Sequence, residues 1–189
     1  MTGPLELRFP DPPLGDGQVV LRRYRAADAE AIVRACSDPE TVRWIPMMPS
    51  PYQLSDAEGF IERTADAWRA GRAAIFAIGA ADDESLLGSI GLHDASNQRG
   101  AFVGYWVAPW ARRRGVATGA LRLVSRWALR DLGIVRLSLT TLPGNGTSQH
   151  VAERCGFRLE GVLRNYHDDR GTPTEAVMYS LVPEDIAGE

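Results

Sequence analysis

Residues 18–24, QVVLRRY, set the apolar run Val19, Val20, Leu21 between polar positions and read as a strand. The next stretch, RAADAEAIVRACSD (25–38), changes to helical spacing, with Ala27, Ile32 and Cys36 among its small or apolar positions. Residues 41–55, TVRWIPMMPSPYQLS, carry three prolines and predict a loop or a broken helix. SDAEGFIERTADAWRAG then predicts a capped helix. Ser55 is its N-cap, acids fill its first turn, Phe60, Ala67 and Trp68 lie inside, and Gly71 ends it. Three strand-like runs follow: AAIFAIGA (73–80), SLLGSIGLHDA (85–95) and GAFVGYWVAP (100–109). A long helix is predicted over about 115–132, its apolar stripe formed by Val116, Ala120, Val124, Trp127 and Ala128 and its end marked by Gly133. VRLSLTTL (135–142) alternates as a strand. GNGTSQHVAERCGF (144–157) reads as a glycine-rich turn, a short helix and a glycine stop. RLEGVLRNY (158–166) and EAVMYSLV (175–182) read as two strands around a turn at 169–171.

Strand runs and helical runs in this order predict one α+β domain over 18–185. Its sheet is mostly antiparallel, with a single strand–helix–strand crossover from about 102 to 141. Residues 1–17 are rich in proline and glycine and predict a flexible, poorly ordered N-terminal segment. No internal repeat or linker interrupts the pattern.

Composition narrows the chemistry. The formal net charge is -3, so a general nucleic-acid binder is disfavoured, and the local arginine clusters stand on an acidic chain. All 21 basic residues are arginine. With no lysine there is no P-loop lysine, no Schiff base and no lysine acid/base chemistry. Cys36 and Cys155 are far apart and unaccompanied, and His93, His150 and His167 are scattered, so no disulfide framework or metal site is expected. MTGPLELRFPDPPLGDGQ has no apolar core of a signal peptide, and no apolar run approaches the ~20 residues of a membrane span. A cytoplasmic protein with no membrane partner is expected.

The junction of the predicted strand and the long helix is the richest stretch. Pro109 cannot continue a strand ladder, and Arg112-Arg113-Arg114-Gly115-Val116-Ala117 opens the helix. A helix start leaves its first backbone N–H groups without partners and carries positive dipole charge. Three arginines there need a negative counterpart. Gly115 and Ala117 keep side chains out of the way, so a diphosphate could be cradled by those N–H groups and by the arginines. A solvated basic turn without a ligand fits the same residue types.

Arg112-x-x-Gly115-x-Ala117 after YWVAP resembles the R/Q-x-x-G-x-G/A motif of the GNAT acyltransferases. VRWIPMMPSPYQLSDAEGFI, GYWVAPWARRRGVATGAL, NGTSQHVAERCGF, RLEGVLRN and AVMYSLVPED, in that order, resemble the RimJ/RimL branch of ribosomal-protein N-terminal acetyltransferases. The resemblance implies a single GNAT-like domain, a twisted mixed sheet flanked by helices with a splayed pair of parallel central strands. It implies acetyl-CoA as co-substrate and no metal. The Val107 region would offer backbone hydrogen bonds to the pantetheine and thioester. Arg112, Arg113, Arg114, Gly115, Val116 and Ala117 would hold the pyrophosphate, with Thr118 extending the turn. Asn145 would reach the pantetheine arm, or serve simply as a turn former in Gly-Asn-Gly.

Acetyl transfer to an amine needs two proton movements: the amine loses one, and the leaving thiolate must gain one or be stabilised. The segment SQHVAERCGF lacks the tyrosine that many GNAT members use there. The RimJ/RimL resemblance points instead to Ser148 as donor to the thiolate; an N-cap of the short helix is the other reading. By the same resemblance Glu160 would activate the amine through water, or else be an exposed strand residue. Trp44, Tyr52, His93 and Tyr105 are candidates to line the acceptor site, although a strand tyrosine also fits a core and His93-Asp94 a strand end. The resemblance implies an N-acetyltransferase for a primary amine, with a peptide or protein α-amine first, a small antibiotic or polyamine second, and a non-catalytic acyl-CoA-binding domain as a rival of another class. A homodimer is compatible with the sequence.

Overall fold

A computed structural model describes residues 5, 7–45, 47–95, 98–169 and 171–188. Its strands are β1 (Val19–Arg22), β2 (Ala74–Ala80), β3 (Leu86–His93), β4 (Ala101–Val107), β5 (Leu137–Thr141), β6 (Arg158–Asp169) and β7 (Thr172–Leu181). Its helices are α1 (Ala29–Cys36), α2 (Pro39–Trp44), α3 (Leu54–Arg69), α4 (Val116–Arg126) and α5 (Gly146–Arg154). The strands form one sheet in the order β1-β2-β3-β4-β5-β7-β6. Every neighbouring pair is antiparallel except β4 and β5, joined by α4 in the one crossover. This is the α+β arrangement expected from the sequence.

Apolar alternation decides which helices cover which face. Phe76 and Ile78 of β2, Ile90 and Leu92 of β3, Val103 of β4 and Leu137 and Leu139 of β5 are buried on the face that α4 covers. The stripe of α4 (Val116, Ala120, Leu121, Val124) closes this core, each larger side chain contributing ~1.5–3 kcal/mol by burial. Past Arg126 the helix widens: the Leu132 N–H bonds the Trp127 carbonyl five residues back at 3.1 Å, and Gly133 stops it at φ +67°. On the opposite face Ile32 and Cys36 of α1 and Ala57 of α3 pack on Ala77, Leu86 and Trp106. These two helices lie over β2 and β3, and Trp106 of β4 packs at the edge of their layer.

Three expectations change and a fourth is narrowed. Leu7, Phe9 and Leu14 belong to the proline-rich lead, yet Leu7 is 8% exposed and Phe9 stacks on Trp68 and Phe76 at 5.3 and 5.4 Å. These apolar side chains cover the aromatic end of the core, which repays the cost of ordering the chain. The helix expected from Ser55 starts one residue earlier, at Leu54. Its N-cap is Gln53, whose N–H donates to Asp56 Oδ2 at 2.8 Å. The loop or broken helix expected at 41–55 takes the second form, beginning inside α2 and leaving the helix after Trp44. Asp38 caps it by accepting the Thr41 N–H at 2.9 Å, and Pro39 is pre-set for its first turn. Strand β6 runs on to Asp169, three residues past the expected end, because β7 pairs with it to Thr172.

Candidate active site

The parallel pair is bonded at its entry alone: Ala101 faces Leu137 and Phe102 faces Ser138. Beyond that the two strands part. β4 remains on β3 as far as Val107, and β5 remains on β7 as far as Thr141. The inner edges of 103–107 and 139–141 therefore present backbone N–H and C=O groups with no strand partner. Buried backbone polar groups are nearly always satisfied, so such a split suits a ligand that itself carries amides. Gly88 makes the parting feasible. A Cβ there would clash with the Trp106 carbonyl and lie 3.1 Å from Val107 Cα, so only glycine lets β4 lean this closely on β3. The sequence reading missed Gly88; its one signal was a second glycine in the SLLGSIG strand, and close backbone approach is a known reason for such a residue.

The open end of the split meets the arginine turn. Ala108 and the short turn Pro109–Ala111 lead into Arg112, Arg113 adopts φ +58°, and Gly115 caps α4 at φ +80°. No side chain caps α4, and its first internal bond runs from the Gly119 N–H to the Gly115 carbonyl at 2.9 Å. The N–H groups of Val116, Ala117 and Thr118 thus lack acceptors in the helix. Arg113 and Arg114 are exposed and their side chains have no partner among the described residues. Gln18 Nε2 donates to the Arg114 carbonyl at 2.6 Å and steadies the turn from β1.

Arg112 points elsewhere. Its guanidinium donates to Asp38 Oδ2 at 2.5 Å and Thr41 Oγ1 at 2.7 Å, so its side chain clamps α2 to the turn instead of joining Arg113 and Arg114. Burial alone would raise the Asp38 carboxyl, but the Arg112 and Thr41 hydrogen bonds outweigh it and hold it below its ordinary value. At its other end α2 sets Trp44 against the β5–α5 turn, where a Cβ on Gly144 would stand 3.4 Å from Trp44 Cη2. Trp44 Nε1 donates to Glu40 Oε1 at 2.6 Å. So α2 lies across the mouth of the split, from the arginine turn to the Gly144 turn.

Across that mouth stands α5. Asn145 is its N-cap, accepting the Ser148 N–H at 3.1 Å, which leaves Ser148 at the third helical position with its hydroxyl free of capping duty. Tyr105, on β4, reaches over to it: Tyr105 Oη lies 2.9 Å from Ser148 Oγ and 3.3 Å from its carbonyl. Burial pushes the Tyr105 phenol up to about 12, the Ser148 hydrogen bond opposing. Thr118 in the first turn of α4 accepts a contact from Cys155 Sγ at 3.5 Å, tying α5 to α4.

Three candidates stand apart from this cluster. Glu160 hydrogen-bonds Ser180 and pairs with Arg136 at 3.2 Å. Ser180 faces Ser138, which pairs with Phe102, so Glu160 sits at the closed end of the split, a strand's length from Ser148. The Ser180 and Arg136 contacts hold its carboxyl below the ordinary value, the wrong direction for a base working near neutrality. His93 faces Phe102 at the same closed end, on the α3 side of the sheet. Tyr52 lies in the helical layer with Trp106, its phenol pushed up to about 12 by burial beside Cys36. Among the described residues no group of three or more His, Cys, Asp or Glu could hold a metal ion, and no helix is long and apolar enough to cross a membrane.

A seven-stranded sheet with one split parallel pair, a helix N-terminus and free arginines at its mouth defines an acyl-carrier-binding transferase fold. The family described as Acetyltransferase (GNAT) domain matches residues 18–158, and the chain belongs to it. YoaA of Bacillus subtilis strain 168, an uncharacterized N-acetyltransferase, is 30% identical over 172 residues, covering 90% of this chain and 97% of YoaA. YdaF of the same strain, named provisionally as a ribosomal N-acetyltransferase, is 30% identical over 176 residues, covering 90% and 94%. The structure of Mycobacterium smegmatis RimJ in complex with CoA-disulfide superposes with a TM-score of 0.81 at 26% identity, covering 92% of this chain and 87% of RimJ. The chain is thus an N-acetyltransferase of the GNAT family that uses acetyl-CoA.

Proposed function

We propose that this enzyme transfers acetyl directly from acetyl-CoA to a primary amine, and that the amine is the α-amine of a peptide or protein. The observation that carries the site is the Tyr105–Ser148 pair at the mouth of the split strands. In this reading the pantetheine lies between β4 and β5, with Val107 bonding near the thioester and the pyrophosphate on 113–118. Arg112 contributes through its backbone. The amine lone pair attacks the thioester carbon, the N–C bond forms, the C–S bond breaks, and the spare amine proton leaves to water. Ser148 donates a hydrogen bond to the departing thiolate, which takes its proton from water, and Tyr105 is read as donating a hydrogen bond to Ser148 Oγ. A phenol held at about 12 stays protonated at any working pH and keeps Ser148 oriented as a donor.

The acceptor reading rests on proton chemistry and on YdaF's name. An α-amine of pKa ~7.7–8.0 is neutral in roughly a tenth of molecules at pH 7, and a lysine side chain at ~10.4 in well under a thousandth. Glu160 is held by Arg136 and Ser180, and among the described residues the hydrogen-bond partners of Ser148 are Tyr105 and Asn145, neither a carboxylate that could take the harder proton. We place the enzyme in the cytoplasm, in keeping with its two unpaired cysteines. Thiol release against peptides with free and blocked N-termini, each with one lysine, alongside aminoglycosides and polyamines, tests the reading. Transfer to free N-termini alone supports it; transfer to lysine in blocked peptides, or far higher kcat/KM on a small amine, overturns it.

A further inference from the structure

On the α3 side of the sheet a pocket of about 380 Å³ opens between α3 and strands β2 and β3. Its walls are apolar, from Phe60, Ala67 and Ile75, and its rim carries Arg63, Arg72, His93 and Asp94. Neither Arg63 nor Arg72 has a hydrogen bond or ion pair from its side chain among the described residues. This differs from Arg22, Arg25, Arg69, Arg112, Arg136 and Arg158, each of which is paired with a carboxylate. Burial holds the His93 ring below its ordinary value, Asp94 opposing, and the two arginine cations outnumber the one carboxylate, Asp94, among the lining residues. The pocket also borders the split strands. His93 lies 3.7 Å from where a Cβ on Gly104 would stand, and Gly104 is an exposed position of β4 just past its last contact with β5.

We propose that this pocket binds a carboxylate of the acceptor, with Arg63 and Arg72 as its cations and Phe60 and Ile75 against the carboxylate's apolar stem. The proposal rests on the amine-acetylation reading above. Guanidiniums favour carboxylates through charge-assisted paired hydrogen bonds, and apolar lining beside the two exposed arginines suits a carboxylate with an apolar stem. The register sets the spacing. From Gly104 to Val107 is three residues, about 10 Å of strand. An extended peptide whose amine reaches the thioester near Val107 lays its third to fifth residue at the pocket. The preferred acceptor is therefore a chain with Asp or Glu at about those positions, and a small amine bearing a carboxylate at similar reach is the other source of the same group.

Three arms test it. In the first, kcat/KM is measured on peptides with Glu at position 3, 4 or 5 and on their Gln counterparts. The wild type should prefer Glu by about tenfold, and the double variant Arg63→Gln/Arg72→Gln should bring the ratio to about one while keeping the rise in Tm that acetyl-CoA causes. Arg72→Glu should turn the preference towards Lys at the same positions. In the second, amino acids with the amine and carboxylate about 10 Å apart replace the peptides; dependence on both arginines seen here alone assigns the pocket to a small acceptor. In the third, anisotropy of a labelled Glu-containing peptide reads binding without transfer. Binding lost in the double variant upholds the pocket even if no peptide is acetylated, and in that case it is the peptide-acetylation reading that falls. Equal rates and equal binding for Glu and Gln ligands, or a preference that survives the double variant, overturn the proposal.

Discussion

Tyr105 and Ser148 stand 43 positions apart in sequence and 2.9 Å apart in space. Neither alone is a distinctive signal: one is a strand tyrosine beside a core, the other a serine near a helix start. Joined, the two hydroxyls lie in hydrogen-bond contact with the phenol pushed up by burial, and the proposed donor role of Ser148 rests on that pair. Ser148→Ala should lower kcat by about 10²-fold with the Kd for acetyl-CoA within about threefold, because the bond matters most once the thiolate forms. Tyr105→Phe should lower kcat by about tenfold, and the double variant by no more than Ser148→Ala alone, since Tyr105 acts through Ser148. Stopped-flow turnover and CoA titration check both. Additive losses would separate the two roles.

Helix α2 is a short element held at both ends. Asp38 binds Arg112 of the anion-facing turn and Trp44 rests on the Gly144 turn, so six residues connect the two sides of the split. The sign of the Asp38 contribution follows from its lowered carboxyl. The ionised form is favoured in the fold, so its stabilisation is present in full above the unfolded value of about 3.8 and fades as pH falls through the lower folded value. Asp38→Asn should therefore reduce Tm between pH 5 and 8. The pair is part-exposed, with side chains 31% and 21% accessible, so the loss is about 1 kcal/mol, or about 2–4 °C for a chain of this size. The difference from wild type should shrink below about pH 4 in a thermal scan. The same variant should raise KM for acetyl-CoA, because α2 no longer holds Arg112 and the turn in place.

At the scale of the whole molecule, the proposed seat of acetyl-CoA between the separated inner edges of β4 and β5 predicts that the ligand stabilises the fold. At about 100 times its Kd acetyl-CoA should add ~2.7 kcal/mol, a rise in Tm of about 5–10 °C. Gly115→Val forces a β-branched residue to φ +80° and puts a side chain where an anion would approach. It should abolish most of that rise while the protein still melts cooperatively. A full ligand-induced shift in that variant, read by calorimetry, would move the pyrophosphate away from the turn.

The elements that proved legible in the chain are those whose signal is local. Strand-like apolar runs marked β2, β3 and β4, the alternation of VRLSLTTL marked β5, the stripe Val116, Ala120, Val124 marked α4, and proline, arginine and glycine between them marked the turn. Short-range sterics and solvation act on neighbours in sequence, so sequence alone carries them. The family motifs were legible for the same reason. Three things waited for the tertiary structure, because each depends on which distant groups meet. Arg112 looks like Arg113 and Arg114 until Asp38 is seen to take it. Glu160 reads as a water-assisted base or as an exposed strand residue, and its contacts with Arg136 and Ser180 at the closed end of the split appear only in the fold. Leu7 and Phe9 look like part of a loose lead until Trp68 and Phe76 offer them a surface to bury. Charge pairing and burial are decided by partners tens of residues away, and no local pattern names the partner.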